Sequence, residues 1–281
     1  MKIAITGATG QLGQLVIQHL LKRTAPHNII ALVRQPTKAQ FLTDLGIEVR
    51  HFDYDQIATL HPALIGVDKL LLISANEIGR RTPQHQAVIE AAKTAHVPYI
   101  AYTSLLKADS SPLALAQEHR ETETLIQSSG IRFTFLRNNW YTENYLASVS
   151  HAIESGVLYG AAGHAQINSA TRNDYAEAAA IVLSTSGHEN KTYELAGTDS
   201  YTLADLAHKI SEHAGKLVVY ENLSAEIYHQ NLVQAGLPLP LVDVIVDADT
   251  QAQHGAHFSE RQDLELLLCR PTTSLEQALS E

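Results

Sequence analysis

Apolar residues gather in short, nearly uninterrupted runs at 2–6, 28–33, 47–52, 69–74, 99–103 and 132–136. Runs of that length suit strands covered on both faces, as in a parallel sheet. Between them apolar positions recur every three or four residues, as at Leu12, Leu15, Val16 and Leu20, and again over 36–45, 56–64, 83–95 and 113–128. That spacing lays one apolar stripe along a helix. The alternation predicts βαβ units and hence an α/β fold with a doubly wound parallel sheet, whose ligands sit at the carboxyl edge of the strands. Beyond residue 137 the alternation loosens. Strand-like runs at 157–160, 191–195 and 217–220, with helix-like segments at 174–184, 203–213 and 225–234, predict a smaller C-terminal α/β lobe. Further helices are expected around Val242, Ile245 and Val246 and over 263–268. The expected division is a larger domain over 1–150, to which later segments return, and a smaller lobe over 151–281. No Pro/Gly/Ser-rich linker, internal repeat or low-complexity tract marks the boundary.

The first strand runs straight into Gly7-Ala8-Thr9-Gly10-Gln11-Leu12-Gly13, three glycines spaced three apart. A strand that stops at glycine and turns into a helix aims backbone N–H groups and the positive end of the helix dipole at one point, which suits a pyrophosphate. With a strand before it and a helix after it, the motif predicts a dinucleotide site of Rossmann type formed by these seven residues. The second strand ends in Arg34, where an NAD-binding chain usually places an acid for the ribose 2′-OH. A guanidinium offers paired donors to a 2′-phosphate instead, so Arg34 predicts NADP(H) over NAD(H). Asp53, after the third strand, is expected either to contact the adenine or to cap a helix. The remaining strand ends fall on the same crevice: Ser74-Ala75-Asn76, expected against the cofactor, Thr103-Ser104, and Arg137-Asn138-Asn139.

Thirty acidic against twenty basic residues give a formal charge of −10, which repels nucleic acid. The lone cysteine, Cys269, excludes an internal disulfide and fits a reducing cytoplasm. No run approaches the roughly 20 apolar residues of a membrane span, and no signal peptide precedes the first strand. A soluble cytoplasmic chain is expected, monomeric or homodimeric, with no membrane partner.

Four stretches carry a family resemblance: 7–13, Leu70-Leu71-Leu72-Ile73-Ser74, Ala101-Tyr102-Thr103-Ser104-Leu105-Leu106, and the segment from Leu136 through Asn138-Asn139-Trp140-Tyr141-Thr142-Glu143 to Tyr145. It extends over Ala161-Ala162-Gly163 and Tyr193-Glu194-Leu195-Ala196-Gly197, and so over essentially the whole chain. The sequence resembles the NmrA-like branch of the atypical short-chain dehydrogenase/reductases, its quinone-reducing members most, with triphenylmethane-dye reductases at greater distance. The resemblance implies a flavin-free, metal-free enzyme that binds NADP(H) in the crevice and passes hydride to a quinone or similar planar acceptor. It also implies that Asn138, Asn139, Trp140, Tyr141, Thr142 and Glu143 line the nicotinamide end and that Arg34 meets the 2′-phosphate. Two alternatives stay open: an NmrA-type redox sensor that binds NADP(H) without turnover, and a reductase of triphenylmethane dyes or other planar xenobiotics.

The Tyr-x-x-x-Lys pair of the wider superfamily is absent. Tyr102 is followed at that spacing by Leu106, and Lys107, one residue too far, would point the other way from a strand. A quinone tolerates the absence, because its carbonyl is already a strong hydride acceptor and orientation carries most of the rate. Candidates for contact with the reacting groups are Tyr102, His119, Asn139 and Tyr141. The place of His119 relative to Gly130 resembles that of the catalytic Lys in isoflavone-reductase-like relatives, and a histidine holds a proton near neutral pH; a helix-surface residue is the plain alternative. Asn139 and Tyr141 have the chemistry to hydrogen-bond a quinone oxygen, and Trp140 and Tyr145 offer flat rings for stacking or simple packing. The pairs His254/His257 and His208/His213 lack a carboxylate pattern for zinc and are expected on the solvated surface, as is the acidic group Glu118, Glu121 and Glu123. No G-x-S-x-G elbow marks a hydrolase.

Overall fold

The structure, a computed structural model, describes residues 1–280. Its strands are β1 (Ile3–Ile5), β2 (Ile29–Val33), β3 (Glu48–His51), β4 (Lys69–Leu72), β5 (Tyr99–Leu105), β6 (Arg132–Asn138), β7 (Val157–Gly160), β8 (Lys191–Leu195) and β9 (Val219–Asn222). Its helices are α1 (Gln11–Leu21), α2 (Gln40–Asp44), α3 (Leu60–Leu64), α4 (Arg81–Thr94), α5 (Ala116–Ser129), α6 (Thr142–Leu146), α7 (Val149–Ser155), α8 (Arg172–Ser184), α9 (Leu203–Ala214), α10 (Ala225–Gln234), α11 (Leu239–Ala252), α12 (Asp263–Leu268) and α13 (Leu275–Ser280).

One sheet takes the order β3-β2-β1-β4-β5-β6-β8. The pairs from β3 to β6 are parallel, with Ile3 opposite both Ile29 and Lys69, and Ser104 opposite Arg137. The order reverses between β1 and β4, the switch point at which a doubly wound sheet opens a crevice. Every residue of β1, β2 and β5 is buried, which is why those segments read as unbroken apolar runs. β3 is the edge strand and carries charge at Glu48 and Arg50, which blunts pairing with another chain. The helices expected over 36–45 and 56–64 are broken: each begins as a 3-10 turn, at Pro36–Ala39 and Ile57–Thr59, before a five-residue α-helix.

The chain forms two compact units. The first holds Met1–Ala108, Gln117–Asn138 and Arg172–Tyr193; the second holds Asp109–Ala116, Asn139–Thr171 and the chain from Glu194 onward. The chain thus leaves the first unit briefly at 109–116 and again after 138 rather than 150, and the later segments that return to it are α8 and most of β8, whose runs read as part of the smaller lobe. Ala176, Ala178, Ala179 and Ala180 are buried in α8, and such small side chains let it lie close on α1, where Asn173 Oδ1 and His19 Nε2 meet at 2.9 Å. The core of the first unit packs Ile30, Leu70, Leu72, Tyr102 and Phe135 from the sheet against Leu60, Val88, Ile89 and Ile126 from α3, α4 and α5. The second unit pairs β7 with β9 in parallel, Val157 opposite Val219, over a core of Leu158, Leu203, Leu206, Ile210 and Val218. There α9 starts at a capping box in which Thr202 and Asp205 satisfy each other's backbone N–H.

Candidate functional site

In the first unit the β1–α1 junction is built on its glycines. Gly7 has φ +59°, which glycine adopts without strain. Its carbonyl accepts the Gly10 N–H at 2.8 Å, and a Cβ on Gly13 would fall on that same carbonyl oxygen. Gly10 caps α1 in an extended conformation without a side-chain bond, and the first turn holds no acid. The first-turn N–H groups therefore face outward at the positive end of an 11-residue helix, an arrangement that fits a pyrophosphate. Arg34 follows β2 with its side chain 65% exposed and Glu77 3.9 Å away, too far for a hydrogen bond, so its donors remain available to a phosphate. Asp53 is buried and turned onto its own loop, accepting the Asp55 N–H at 3.1 Å and Gln56 Nε2 at 2.9 Å. It caps no helix: Gln56 holds the cap position before Ile57.

β4 stops at Leu72, and side chains take the next three backbone N–H groups. Thr6 Oγ1 accepts from Ile73 at 2.9 Å, Thr103 Oγ1 from Ser74 at 2.8 Å, and His85 Nε2 from Ala75 at 3.0 Å. Next to this edge Ser104 Oγ and Asn138 Oδ1, at the carboxyl ends of β5 and β6, are buried without a hydrogen bond. Orphan polar atoms at a ligand-binding edge are places for a ligand to complete.

Tyr102 is fully buried, and its hydroxyl lies 2.8 Å from His119 Nδ1. Burial pushes the phenol up; burial and the Arg81 charge push the imidazole well below its usual range. His119 is thereby held neutral, and at 5% exposed it is not the helix-surface residue of the plain alternative. The acidic face of α5 is corrected as well. Glu123 is buried and takes Arg137 in two hydrogen bonds of 3.0 and 2.8 Å, and Glu118 accepts the N–H groups of Gly79 and Arg81 at 3.1 Å each.

In the second unit Asn139 is 3% exposed and internally occupied. Its Nδ2 donates to the carbonyls of Asn168 and His257, each at 2.9 Å, and its Oδ1 meets His257 Nδ1 at 3.3 Å. The expected contact between Asn139 and a quinone oxygen gives way to this bracing role. Trp140 packs on the His257 ring at 5.1 Å, and Thr142 Oγ1 meets Ser169 Oγ at 2.8 Å. Tyr141 and Glu143 are half-buried. His254, His208 and His213 are exposed as expected, but His257 is 1% exposed, and burial lowers its pKa to about 4. His257 reads as solvated beside His254 because nothing in its neighbours along the chain signals burial.

Asp249, on α11, was also missed. It is 3% exposed and accepts the Ala161 N–H at 2.8 Å; burial raises its carboxyl to about 6. Tyr145, Tyr220 and Tyr228 share its surroundings, and burial followed by its charge raises all three phenols. A cavity of about 170 Å³ in this unit is lined by Asn168, Gly197, Phe258 and Arg261 among others, and by none of the residues expected at cofactor or acceptor. Among the described residues no three His, Cys, Asp or Glu side chains converge on a metal-sized point, and no helix is long and apolar enough to cross a membrane.

A model of the NmrA-like family matches residues 1–268. The chain is 53% identical over 278 residues to quinone oxidoreductase 2 of Escherichia coli (strain K12), covering 99% of this chain and 97% of that one. Among solved structures, the NADPH-dependent quinone oxidoreductase of Escherichia coli complexed with NADPH superposes with a TM-score of 0.97, at 53% identity over 99% of this chain and 98% of the other. The triphenylmethane reductase of Citrobacter sp. complexed with NADP(H) superposes with a TM-score of 0.95, at 40% identity over 100% and 99% of the two chains.

Proposed function

Since this chain belongs to the NmrA-like family, we propose that it is an NADPH-dependent quinone oxidoreductase. The cofactor supplies a hydride, and the quinone, taking it with one further proton, leaves as hydroquinone. The observation that carries the reading is the glycine cradle of 7–13, whose helix N-terminus is capped by no side chain, with Arg34 at the next strand end, on a chain 53% identical to a quinone oxidoreductase over nearly its full length.

The α1 N–H groups hold the pyrophosphate and Arg34 the 2′-phosphate, while Ser74, Ala75, Asn76 and Asn138 border the cofactor from the carboxyl edge of the sheet. Asn139 holds the 139–143 segment in place through Asn168 and His257. Tyr141, half-buried, meets the acceptor oxygen. Tyr102 and His119, buried and neutral, stiffen the core beneath the crevice, and water supplies the proton. Likeness to triphenylmethane reductase supports triphenylmethane dyes as a second acceptor class. A lone, exposed Cys269 supports a reducing cytoplasm as the setting.

The test follows NADPH absorbance with and without a benzoquinone or naphthoquinone, with NADH in parallel. Quinone-dependent oxidation that prefers NADPH is expected. Tight NADPH binding without turnover on any planar acceptor would mark a sensor instead.

A further inference from the structure

Ala75 is gripped by its backbone from both sides. Its N–H donates to His85 Nε2 at 3.0 Å, and its carbonyl accepts Arg81 Nε at 2.7 Å. Arg81 and His85 stand one turn apart on α4, so a single helix face holds both polar groups of one loop residue. Both side chains are buried, His85 completely.

The donor on Ala75 fixes the state of the ring. A backbone N–H can only donate, so Nε2 carries a lone pair and the proton lies on Nδ1. Nδ1 then donates to Thr122 Oγ1 at 3.0 Å, and the Thr122 hydroxyl donates in turn to the Glu118 carbonyl at 2.8 Å. Rotating the ring would leave at least one buried polar group unpaired. Burial and the Arg81 charge hold the imidazole pKa at about 3, so it stays an acceptor throughout the physiological range. Arg81 is fixed as firmly, for Glu118 Oε1 accepts its N–H and that of Gly79, and Oε2 stands 3.5 Å from Nη1. The loop after β4 is therefore tied to α4 directly and to α5 through one further bond.

We propose that His85, together with Arg81, is a positioning residue for NADPH: it sets the backbone of Ser74-Ala75-Asn76 before the cofactor arrives, and so governs cofactor affinity rather than hydride transfer. The proposal rests on the reading that this loop borders the cofactor. A loop already held in its bound conformation gives up little ordering entropy on binding. Histidine suits the place because the grip needs an acceptor and a donor on opposite sides of one small buried ring.

The test measures the NADPH dissociation constant by titration calorimetry, Tm and steady-state kinetics for His85→Leu, His85→Gln and Val88→Ala. His85→Leu should raise Kd and KM for NADPH about tenfold, with kcat at saturating NADPH and KM for quinone within about twofold. His85→Gln, whose amide oxygen reaches toward the place of Nε2, should recover most of the affinity. Val88→Ala, which only opens the core on the same helix, should lower Tm and leave Kd unchanged. The proposal is overturned if His85→Leu binds NADPH as the parent does, or if Val88→Ala weakens binding equally. Should His85→Leu not fold, Thr122→Val replaces it; a several-fold rise in Kd supports the grip and an unchanged Kd overturns it. Gly13→Val separates the two readings, because its side chain would strike the Gly7 carbonyl. If Gly13→Val binds NADPH normally, the cofactor does not lie on the cradle and both fall; if it loses binding while His85→Leu keeps it, the positioning role alone falls.

Discussion

In the first unit buried polar side chains pair with one another between strands and helices, whereas the second buries a carboxyl among tyrosines. His85 meets Thr122, Tyr102 meets His119, and Glu123 meets Arg137, all inside one unit. Two of its unpaired atoms, on Ser104 and Asn138, lie at strand ends facing the crevice. In the second unit the Tyr145 hydroxyl makes no hydrogen bond, and Asp249 is buried with the Ala161 N–H as its donor. A satisfied buried network rigidifies; an unsatisfied one keeps bonding capacity at a cost in stability. The paired side chains stiffen the first unit beneath its crevice, which suits a ligand of constant shape such as a dinucleotide, and the second unit carries a buried carboxyl at a cost in stability.

The comparison breaks first at the Glu123–Arg137 pair. Glu123→Ala removes the two-bond partner of a buried guanidinium and should cost about 3–5 kcal/mol in urea unfolding; a loss below about 1 kcal/mol would mean that the network does not hold the first unit. Asp249 tests the second unit with the opposite sign. Its folded pKa is raised from 3.8 to about 6, so the folded state holds the proton more tightly. The burial cost, about 3 kcal/mol, is full above pH 6 and fades as pH falls through 6 toward 4. Asp249→Asn should therefore raise stability at pH 8, leave it little changed near pH 4 and flatten the profile between, as read by Tm across pH.

Arg34→Ala sharpens the cofactor side. Loss of charge-assisted bonds to a phosphate should reduce the preference for NADPH over NADH in kcat/KM by about tenfold or more. The smallest effect is expected at Tyr145, whose hydroxyl is buried without a partner. Tyr145→Phe should be neutral or stabilising by about 1 kcal/mol in thermal unfolding, and a clear loss would show that the hydroxyl is already satisfied.

What the sequence shows depends on how local the cause is. The glycine turn into α1, the strands 29–33 and 132–136 and the helix 263–268 are fixed by neighbours within a few residues, and they stand where the pattern puts them. α8 reads as part of the smaller lobe, though it lies in the first unit, because an alanine run has no contrast between faces. Polar residues were harder. Glu123, His85, His257 and Asp249 sit on helices or beside them, where a polar residue reads as solvated unless its distant partner is known. Asn139 reads as available for the same reason: the carbonyls that occupy it belong to residues 168 and 257.

The central claim is that the cofactor side is formed before the cofactor binds, and amide hydrogen exchange with and without NADPH tests it most directly. The amides of Ile73, Ser74 and Ala75, held by Thr6, Thr103 and His85, should exchange slowly in the free protein and change little on binding, while those at the start of α1 slow markedly. Fast exchange at 73–75 that slows only when NADPH is added would contradict it.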